Sequence, residues 1–204
     1  MATAGEMIKV IAHNIVRPQS TVTSFYAVLR KTGLISTRGR GRSAQDLSPL
    51  DVARALIVML SADSLQQAEA VTELTGQLTH EVFNLNCELL DKITFEDALA
   101  EIIAAKADQH HGRPITPSRV LGDLATKNIE VSVTASNLSA LITINGEEFH
   151  FIDDSGINPG ITYPEEWDGI SDVDQLVLRK IMGGMAVTRT IDDGIISRIA
   201  KAMP

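Results

Sequence analysis

Three arginines alternate with glycines in one short stretch of the chain, at Arg38, Arg40 and Arg42. The guanidinium group stays charged at physiological pH and offers a planar fork of donors that matches phosphate oxygens and base edges. The intervening glycines carry no side chain, so the backbone can approach a ligand closely. This pattern indicates contact with a polyanion, and the simplest alternative is a solvated linker between two helices.

The basic residues are concentrated at the beginning of the chain. Residues 1–45 hold seven lysines and arginines and a single acid, Glu6, which gives this part a net charge of +6. Because the whole chain carries −8, the remaining residues carry −14. Salt screens the attraction to phosphate beyond about 10 Å, so this distribution predicts nucleic-acid binding through the N-terminal part alone.

The composition is that of a folded protein with an aliphatic core. Of the 204 residues 44% are hydrophobic, 22% are charged and only 4% are aromatic, so Ala, Leu, Ile and Val must fill most of the core. The single cysteine, Cys87, forbids an internal disulfide. No apolar run approaches the roughly 18 residues of a membrane span, and the N-terminus lacks the pattern of a signal peptide. We therefore expect a cytoplasmic protein with no membrane partner.

No group of residues predicts catalysis, a cofactor or a metal site. The histidines have none of the spacings of metal ligands, and the adjacent His110 and His111 are expected in a solvated loop. Adjacent acids such as Asp153 and Asp154 fit turns and caps, because carboxylates for acid–base catalysis must face each other across a cleft. The sequence therefore predicts a binding protein and not an enzyme.

The arginine segment, residues 38–42, is predicted to lie between helices. Apolar residues recur at helical spacing over residues 6–16, and a second helix begins with Ser20 or Thr21 as its cap and ends at Gly33. A third helix begins at residues 48–51, which supply a capping serine, a proline at the first helical position and an acid at the third. These helices are expected to form a small bundle.

The first two helices resemble a helix-turn-helix, and the match runs over residues 8–27. Five positions carry it, as the apolar sites and the small residue at the helix crossing: Ile11, Ala12, Ile15, Val22 and Phe25. Val16 stands where the family usually has glycine in the turn, and Pro18 lies inside that turn. The resemblance implies a recognition helix that begins at Gln19, with short polar side chains that contact phosphates or base edges.

The first 60 residues also resemble small proteins of phages and prophages, on the strings Gly33-Leu34-Ile35, Arg38 to Arg42, Leu47 to Asp51 and Ala55-Leu56-Ile57. The Arg-Gly-Arg core is similar to that of an AT-hook, although the flanking prolines are missing. These resemblances imply a sequence-specific double-stranded DNA-binding protein, a phage or prophage transcription regulator that works as a homo-oligomer, most simply a dimer. The residues predicted to contact DNA are Arg17, Ser20, Thr21, Thr23, Ser24, Arg30, Lys31, Arg38, Arg40 and Arg42.

Two alternatives remain open at the level of sequence. One is a ring-forming DNA-packaging subunit similar to small terminase subunits, in which a helical head, an oligomerisation layer and a β-containing end follow in this order. The other is a protein-interaction module whose basic segment binds an acidic partner and never contacts DNA. In the regulator, the acidic C-terminal half would dimerise or receive a signal from a protein partner.

The pattern beyond residue 62 predicts helices first and strands later. Helical spacing extends from residue 63 to about 90, and a further helix is capped by Thr94. Strands follow at residues 129–133, 141–145 and 149–152, with a hairpin turn at Asn145-Gly146, and form a three-stranded antiparallel meander.

Three more helices are predicted in this part of the chain. One begins at Thr116-Pro117, one covers residues 172–182, and one runs from Thr190 to Met203, opened by a Thr-x-x-Asp capping box and docked on the meander. The expected class is α+β, mainly α. Its predicted parts are a DNA-binding head (1–62), a helical oligomerisation or core region (63–112) and an α+β C-terminal domain (113–204).

Overall fold

The computed structural model describes residues 3–36, 47–83, 89–125, 128–135, 138–152 and 187–203. Arg38, Arg40 and Arg42 lie outside the described residues, as do Cys87, Asp153, Asp154 and the helix predicted at 172–182.

Helices and antiparallel strands form an α+β fold within these ranges, which confirms the predicted class. The helices are α1 (Ala4–Asn14), α2 (Gln19–Thr32), α3 (Pro49–Ser61), α4 (Ala68–Gly76), α5 (Phe95–His110) and α6 (Asp193–Lys201). The strands are β1 (Thr79–Phe83), β2 (Leu89–Thr94), β3 (Ile129–Thr134), β4 (Ser139–Ile144), β5 (Glu147–Phe151) and β6 (Thr188–Asp192).

Side-chain caps decide where several helices begin. Ser48 and Asp51 form a reciprocal capping box at α3, and Thr94 accepts a hydrogen bond from the Asp97 amide at α5, so both predicted starts are confirmed. The predicted cap of α2 is wrong, because Pro18 is the N-cap residue and Ser20 and Thr21 already lie in the first turn. The proline presets φ near its helical value, so the helix starts before the first hydroxyl residue.

The helix predicted up to residue 90 is wrong at the described residues beyond Gly76. The chain instead forms an antiparallel hairpin of β1 and β2, in which Thr79 pairs with Thr94 and His80 with Ile93. Thr79 also pairs with Ile152 through two backbone hydrogen bonds of 2.9 and 3.1 Å. Short apolar runs fit a helix or a strand equally well. Here the pairing with residues that are remote in sequence determines that the segment is a strand.

The main sheet has the strand order β5-β4-β3-β6 and is antiparallel throughout. Asn145 and Gly146 both have positive φ, 53° and 88°, as a tight hairpin turn between β4 and β5 requires. The prediction of three strands missed β6, which pairs Ile191 with Val131. Thr190 therefore lies in a strand, and Asp192 caps α6 by accepting from the Ile195 amide at 2.8 Å.

The short helix predicted at Thr116-Pro117 is absent from the described residues 115–125. Ser118 forms a bridge with Gly122, and its hydroxyl accepts hydrogen bonds from the amides of Val120 and Leu121 at 3.3 and 3.0 Å. A serine that binds nearby amides in this way offers the backbone an alternative to a helix.

Among the described residues, one buried hydrophobic cluster extends from Met7 to Met203. Helix α3 lies at its centre and contacts α2, α4, α5 and strands β3 and β6. All three predicted parts of the chain contribute to this cluster, so their division stays a prediction about function.

Helix α6 was expected to dock on the meander, and this expectation is wrong. It packs chiefly against α5 and α1. Lys106 of α5 is only 1% exposed and forms an ion pair of 2.5 Å with Asp193, the first residue of α6. A buried ammonium group needs such a partner, and this pair ties the first residue of α6 to α5.

Candidate nucleic-acid interface

The turn between α1 and α2 holds a valine in a conformation that glycine usually adopts. Val16 has φ of 55°, and the amide of Arg17 donates to the Ala12 carbonyl at 3.1 Å, as in a Schellman ending of a helix. The Val16 side chain is 89% exposed, so no packing offsets the strain of a β-branched residue in this region. The departure from glycine noted in the sequence thus coincides with a left-handed turn.

The two helices cross on the apolar positions that the sequence indicated. Ile11 and Ala12 of α1 and Val22 and Phe25 of α2 are buried, and Ile15 is partly buried. Gly33 ends α2 with φ of 85°, as predicted. The opposite side of α2 therefore remains available to solvent.

The N-terminus of α2 has no side-chain cap. Pro18 carries no side-chain acceptor, and its carbonyl accepts from the amides of Thr21 and Val22 at 3.0 and 3.2 Å. The amides of Gln19 and Ser20 are left for an outside acceptor. In contrast, α1 is closed by a capping box of Thr3 and Glu6. An uncapped helix N-terminus attracts anions, because the helix dipole and the free amides act together.

The exposed face of α2 consists of small polar or basic side chains. Gln19, Ser20, Thr23, Ala27 and Arg30 are exposed at successive helical turns. Lys31 is also exposed, and Thr21 and Ser24 are half-buried. No acid occurs between Glu6 and Asp46 in the sequence. The face can therefore approach a polyanion without like-charge repulsion.

Two hydroxyl groups on this helix already donate to its backbone. The hydroxyl of Thr23 donates to the Gln19 carbonyl at 2.8 Å, and that of Ser24 donates to the Ser20 carbonyl at 2.9 Å. These bonds leave the oxygens able to accept but not to donate. A phosphate has only acceptors, so neither hydroxyl can bind one in this rotamer.

The Arg17 side chain reaches the C-terminal end of α3. Its guanidinium donates to the Met59 carbonyl at 3.3 Å. Burial lowers its pKa, the nearby Arg189 lowers it further, and Asp63 partly compensates. Arg189 donates to the neighbouring Leu60 carbonyl at 2.9 Å and also pairs with Asp63. Two arginines from distant parts of the chain thus satisfy the last carbonyls of one helix.

Asp51 holds the residues on both sides of the arginine segment. The amide and hydroxyl of Ser36 donate to its carboxylate, both at 2.9 Å. The amide and hydroxyl of Ser48 donate to it at 3.0 and 2.9 Å. Burial raises the pKa of Asp51, but the four hydrogen bonds together outweigh burial and hold the pKa below its usual value of 3.8.

A second contact fixes the chain just before this segment. Arg54 of α3 donates to the Leu34 carbonyl at 2.8 Å and forms a two-pronged pair with Glu96 of α5 at 2.8 and 3.0 Å. The hydrogen bond with Glu96 raises the pKa of Arg54, more than burial lowers it. Gln77 also donates to Glu96, at 2.9 Å. The start of the arginine segment is therefore anchored to the core through two helices.

The structure brings together part of the predicted site. Ser20, Thr23, Arg30 and Lys31 share the accessible side of α2, with Thr21 and Ser24 at its edge, whereas Arg17 serves α3. Sequence reasoning missed Gln19 as a site residue, although its place next to Pro18 at the start of the helix was readable. It also missed the hydrogen bonds that Ser36 donates to Asp51, because the two residues are 15 positions apart and no sequence motif links them.

The histidine pair has a structural role that the sequence did not indicate. Nε2 of His110 lies 3.0 Å from the Ser197 carbonyl, and Nε2 of His111 lies 3.0 Å from the Met203 carbonyl. Since a carbonyl only accepts, each ring nitrogen donates. The pair therefore attaches the end of α5 to the C-terminal helix.

Neither a metal cluster nor a membrane helix is found in the described part of the chain. Nowhere among those residues do three or more His, Cys, Asp or Glu side chains gather as a metal site requires. No helix within the described ranges is both long and apolar enough to cross a membrane. No protein-family model, curated protein or solved structure matches the chain. The chemistry of its own residues is therefore the basis for inferring a function.

Proposed function

We propose that the protein binds double-stranded DNA through the exposed face of α2 and the arginine segment that follows it. The observation that carries the proposal is the accessible, acid-free face of α2, which begins at an uncapped N-terminus and ends with Arg30 and Lys31. This face belongs to a chain of net charge −8. Its local charge is thus opposite in sign to that of the whole protein.

The dimensions of α2 suit the major groove. Its 14 residues span about 21 Å at 1.5 Å per residue, and the groove admits one α-helix. Short side chains at Ser20, Thr23 and Ala27 let the helix approach base edges closely. Arg30 and Lys31 at the other end of the helix bind phosphates.

The arginine segment supplies additional contacts beside this helix. Its flanking residues Ser36 and Ser48 are both fixed on Asp51, so the chain enters and leaves it at one place on α3. Arginines carried between these two points contact phosphates or a narrow minor groove, where the negative potential is strongest. Such contacts add affinity and little sequence discrimination.

We further infer that the protein is a sequence-specific regulator of phage or prophage origin that acts as a dimer. A single helix reads only a few base pairs, and DNA-binding units of this size commonly pair on two half-sites. The acidic remainder of the chain limits indiscriminate attachment to DNA. It also offers surface for dimerisation or for a protein partner.

The test is duplex binding measured against salt concentration by fluorescence anisotropy. The wild-type chain should lose affinity steeply as salt rises, and Arg38→Ala, Arg40→Ala and Arg42→Ala together should reduce the slope by about 2.7, at 0.9 per phosphate contact. The matched control replaces Arg113, Arg119 and Lys201, three exposed cations outside residues 1–62, and should keep the slope. Absence of salt-sensitive duplex binding, or equal slopes for both triple variants, would contradict the proposal.

A further inference from the structure

We propose that Gln19 reads an adenine and that the Thr23 methyl group contacts a thymine methyl group, so that α2 prefers A·T pairs in the major groove. The inference rests on the proposed function, because it assigns bases to the face that the proposal places on DNA. It adds a residue, Gln19, that the sequence did not single out, and it gives Thr23 a different chemistry from that of its hydroxyl.

Gln19 is the first residue of α2, and its exposed amide makes no hydrogen bond to any other described residue. Pro18, with φ of −55°, fixes the backbone just before it. A glutamine amide carries one donor group and one acceptor, and adenine offers the N7 acceptor beside the N6 donor in the major groove. The two sets match in a two-pronged pair, which the other bases do not allow.

Thr23 follows Gln19 by one helical turn on the same exposed face. Its hydroxyl donates to the Gln19 carbonyl at 2.8 Å, so the hydrogen is already used inside the helix. The remaining group that the side chain can offer is chiefly its methyl. Thymine carries a C5-methyl group in the major groove, and apolar contact with it distinguishes thymine from the other bases.

The neighbouring side chains of the face agree with this assignment. Ala27, a further turn along, is exposed and presents a second methyl group. Ser20 has a hydroxyl without a partner among the described residues, but a serine binds donors and acceptors alike and discriminates little. The row Gln19, Thr23 and Ala27 therefore offers one amide and two methyl groups, a combination that favours adenine and thymine.

The experiment begins with selection of duplexes from a random pool by the full chain. In the selected duplex, each adenine is then replaced by 7-deazaadenine, which lacks N7, and each thymine by uracil, which lacks the methyl group. The variants are Gln19→Ala, Thr23→Ser and Thr23→Val, all at exposed positions. Gln66→Ala, at an exposed glutamine between α3 and α4, is the matched control.

We expect Gln19→Ala to weaken binding by about 5- to 150-fold, the usual range for one two-pronged base contact. It should also abolish the effect of 7-deazaadenine at one position. Thr23→Ser should abolish the effect of uracil at one thymine, whereas Thr23→Val, which keeps a methyl group, should preserve it. Gln66→Ala should behave as wild type in every arm.

The outcomes separate this inference from the proposed function. If the wild type binds duplexes with a steep salt dependence but selects no sequence, or if Gln19→Ala keeps the wild-type response to 7-deazaadenine, the base assignment is wrong and DNA binding stands. Loss of the uracil response in Thr23→Val would likewise overturn the methyl contact. If no duplex binds at any salt concentration, the proposed function fails and the base assignment fails with it.

Discussion

The carboxylate of Asp51 is bonded to Ser36 and Ser48, which precede and follow the arginine segment, with all four distances between 2.9 and 3.0 Å. Asp51 also belongs to the capping box of α3, where its amide donates to the Ser48 hydroxyl at 3.1 Å. One side chain thus caps a core helix and binds the residues Ser36 and Ser48 on either side of the arginine segment.

Replacing Asp51 by asparagine should destabilise the fold. Asp51 is 5% exposed, and the change removes the charge that accepts from the amides and hydroxyls of Ser36 and Ser48. We expect a loss of about 2–4 kcal/mol in the free energy of unfolding, measured by urea denaturation. Asp97→Asn is the matched control, because Asp97 holds the same position at the start of α5 but is exposed; it should cost under about 1 kcal/mol. Equal losses would contradict the role given to Asp51.

The contribution of Asp51 should also depend on pH. Its pKa in the folded chain lies below the ordinary 3.8, so its stabilising effect is fully present above that value and is lost as the pH falls through the folded pKa. The difference in unfolding free energy between wild type and Asp51→Asn should stay constant from pH 7 to about pH 5 and shrink below pH 4. A difference that grows on acidification would show the opposite sign of the shift.

Two substitutions at left-handed positions should have opposite effects on stability. Val16→Gly removes the strain of a β-branched residue at φ of 55° and should stabilise the fold by about 0.5–1 kcal/mol, after the greater freedom of glycine in the unfolded chain is counted. Gly33→Ala places a Cβ in open space but at φ of 85°, and should destabilise by about 1 kcal/mol. Thermal denaturation measures both, and equal signs would refute the conformational explanation.

Light scattering after size-exclusion chromatography should give the mass of a dimer. The proposed regulator has one DNA-contacting helix per chain, α2, and such proteins commonly pair on two half-sites. A ring of eight or more copies would instead favour a DNA-packaging subunit. Dilution should dissociate the dimer. The contribution of each chain to the salt dependence of duplex binding should stay the same.

Sequence signals succeeded where the structure depends on neighbouring residues. The capping box at Ser48, the left-handed end at Gly33 and the turn at Asn145-Gly146 each need only a few adjacent residues. The spacing of the apolar residues in α2 likewise predicted which side of the helix is buried, and hence that Thr23 lies on the exposed side. These features follow from local conformational preference.

Sequence patterns did not predict the structure where residues that are distant in sequence determine it. Thr79 becomes a strand residue by pairing with Thr94 and Ile152, and Thr190 by pairing with Ser132. The bond from Arg17 to the Met59 carbonyl was also hidden, because the two residues are 42 positions apart in the sequence. The contact of Asp51 with Ser36 was hidden for the same reason, since the capping pattern at Ser48 already explained the acid.

Arg17 and Arg189 both contact the end of α3, and this links the beginning of the chain to its last strand. Arg17 lies two residues before α2 and Arg189 lies in β6, yet they donate to the consecutive carbonyls of Met59 and Leu60. An isolated fragment of residues 1–62 would keep Arg17 and α3 but would lose Arg189 from this helix end. Residues 1–62 and β6 are therefore tied together at one helix end, which Arg17 and Arg189 both contact.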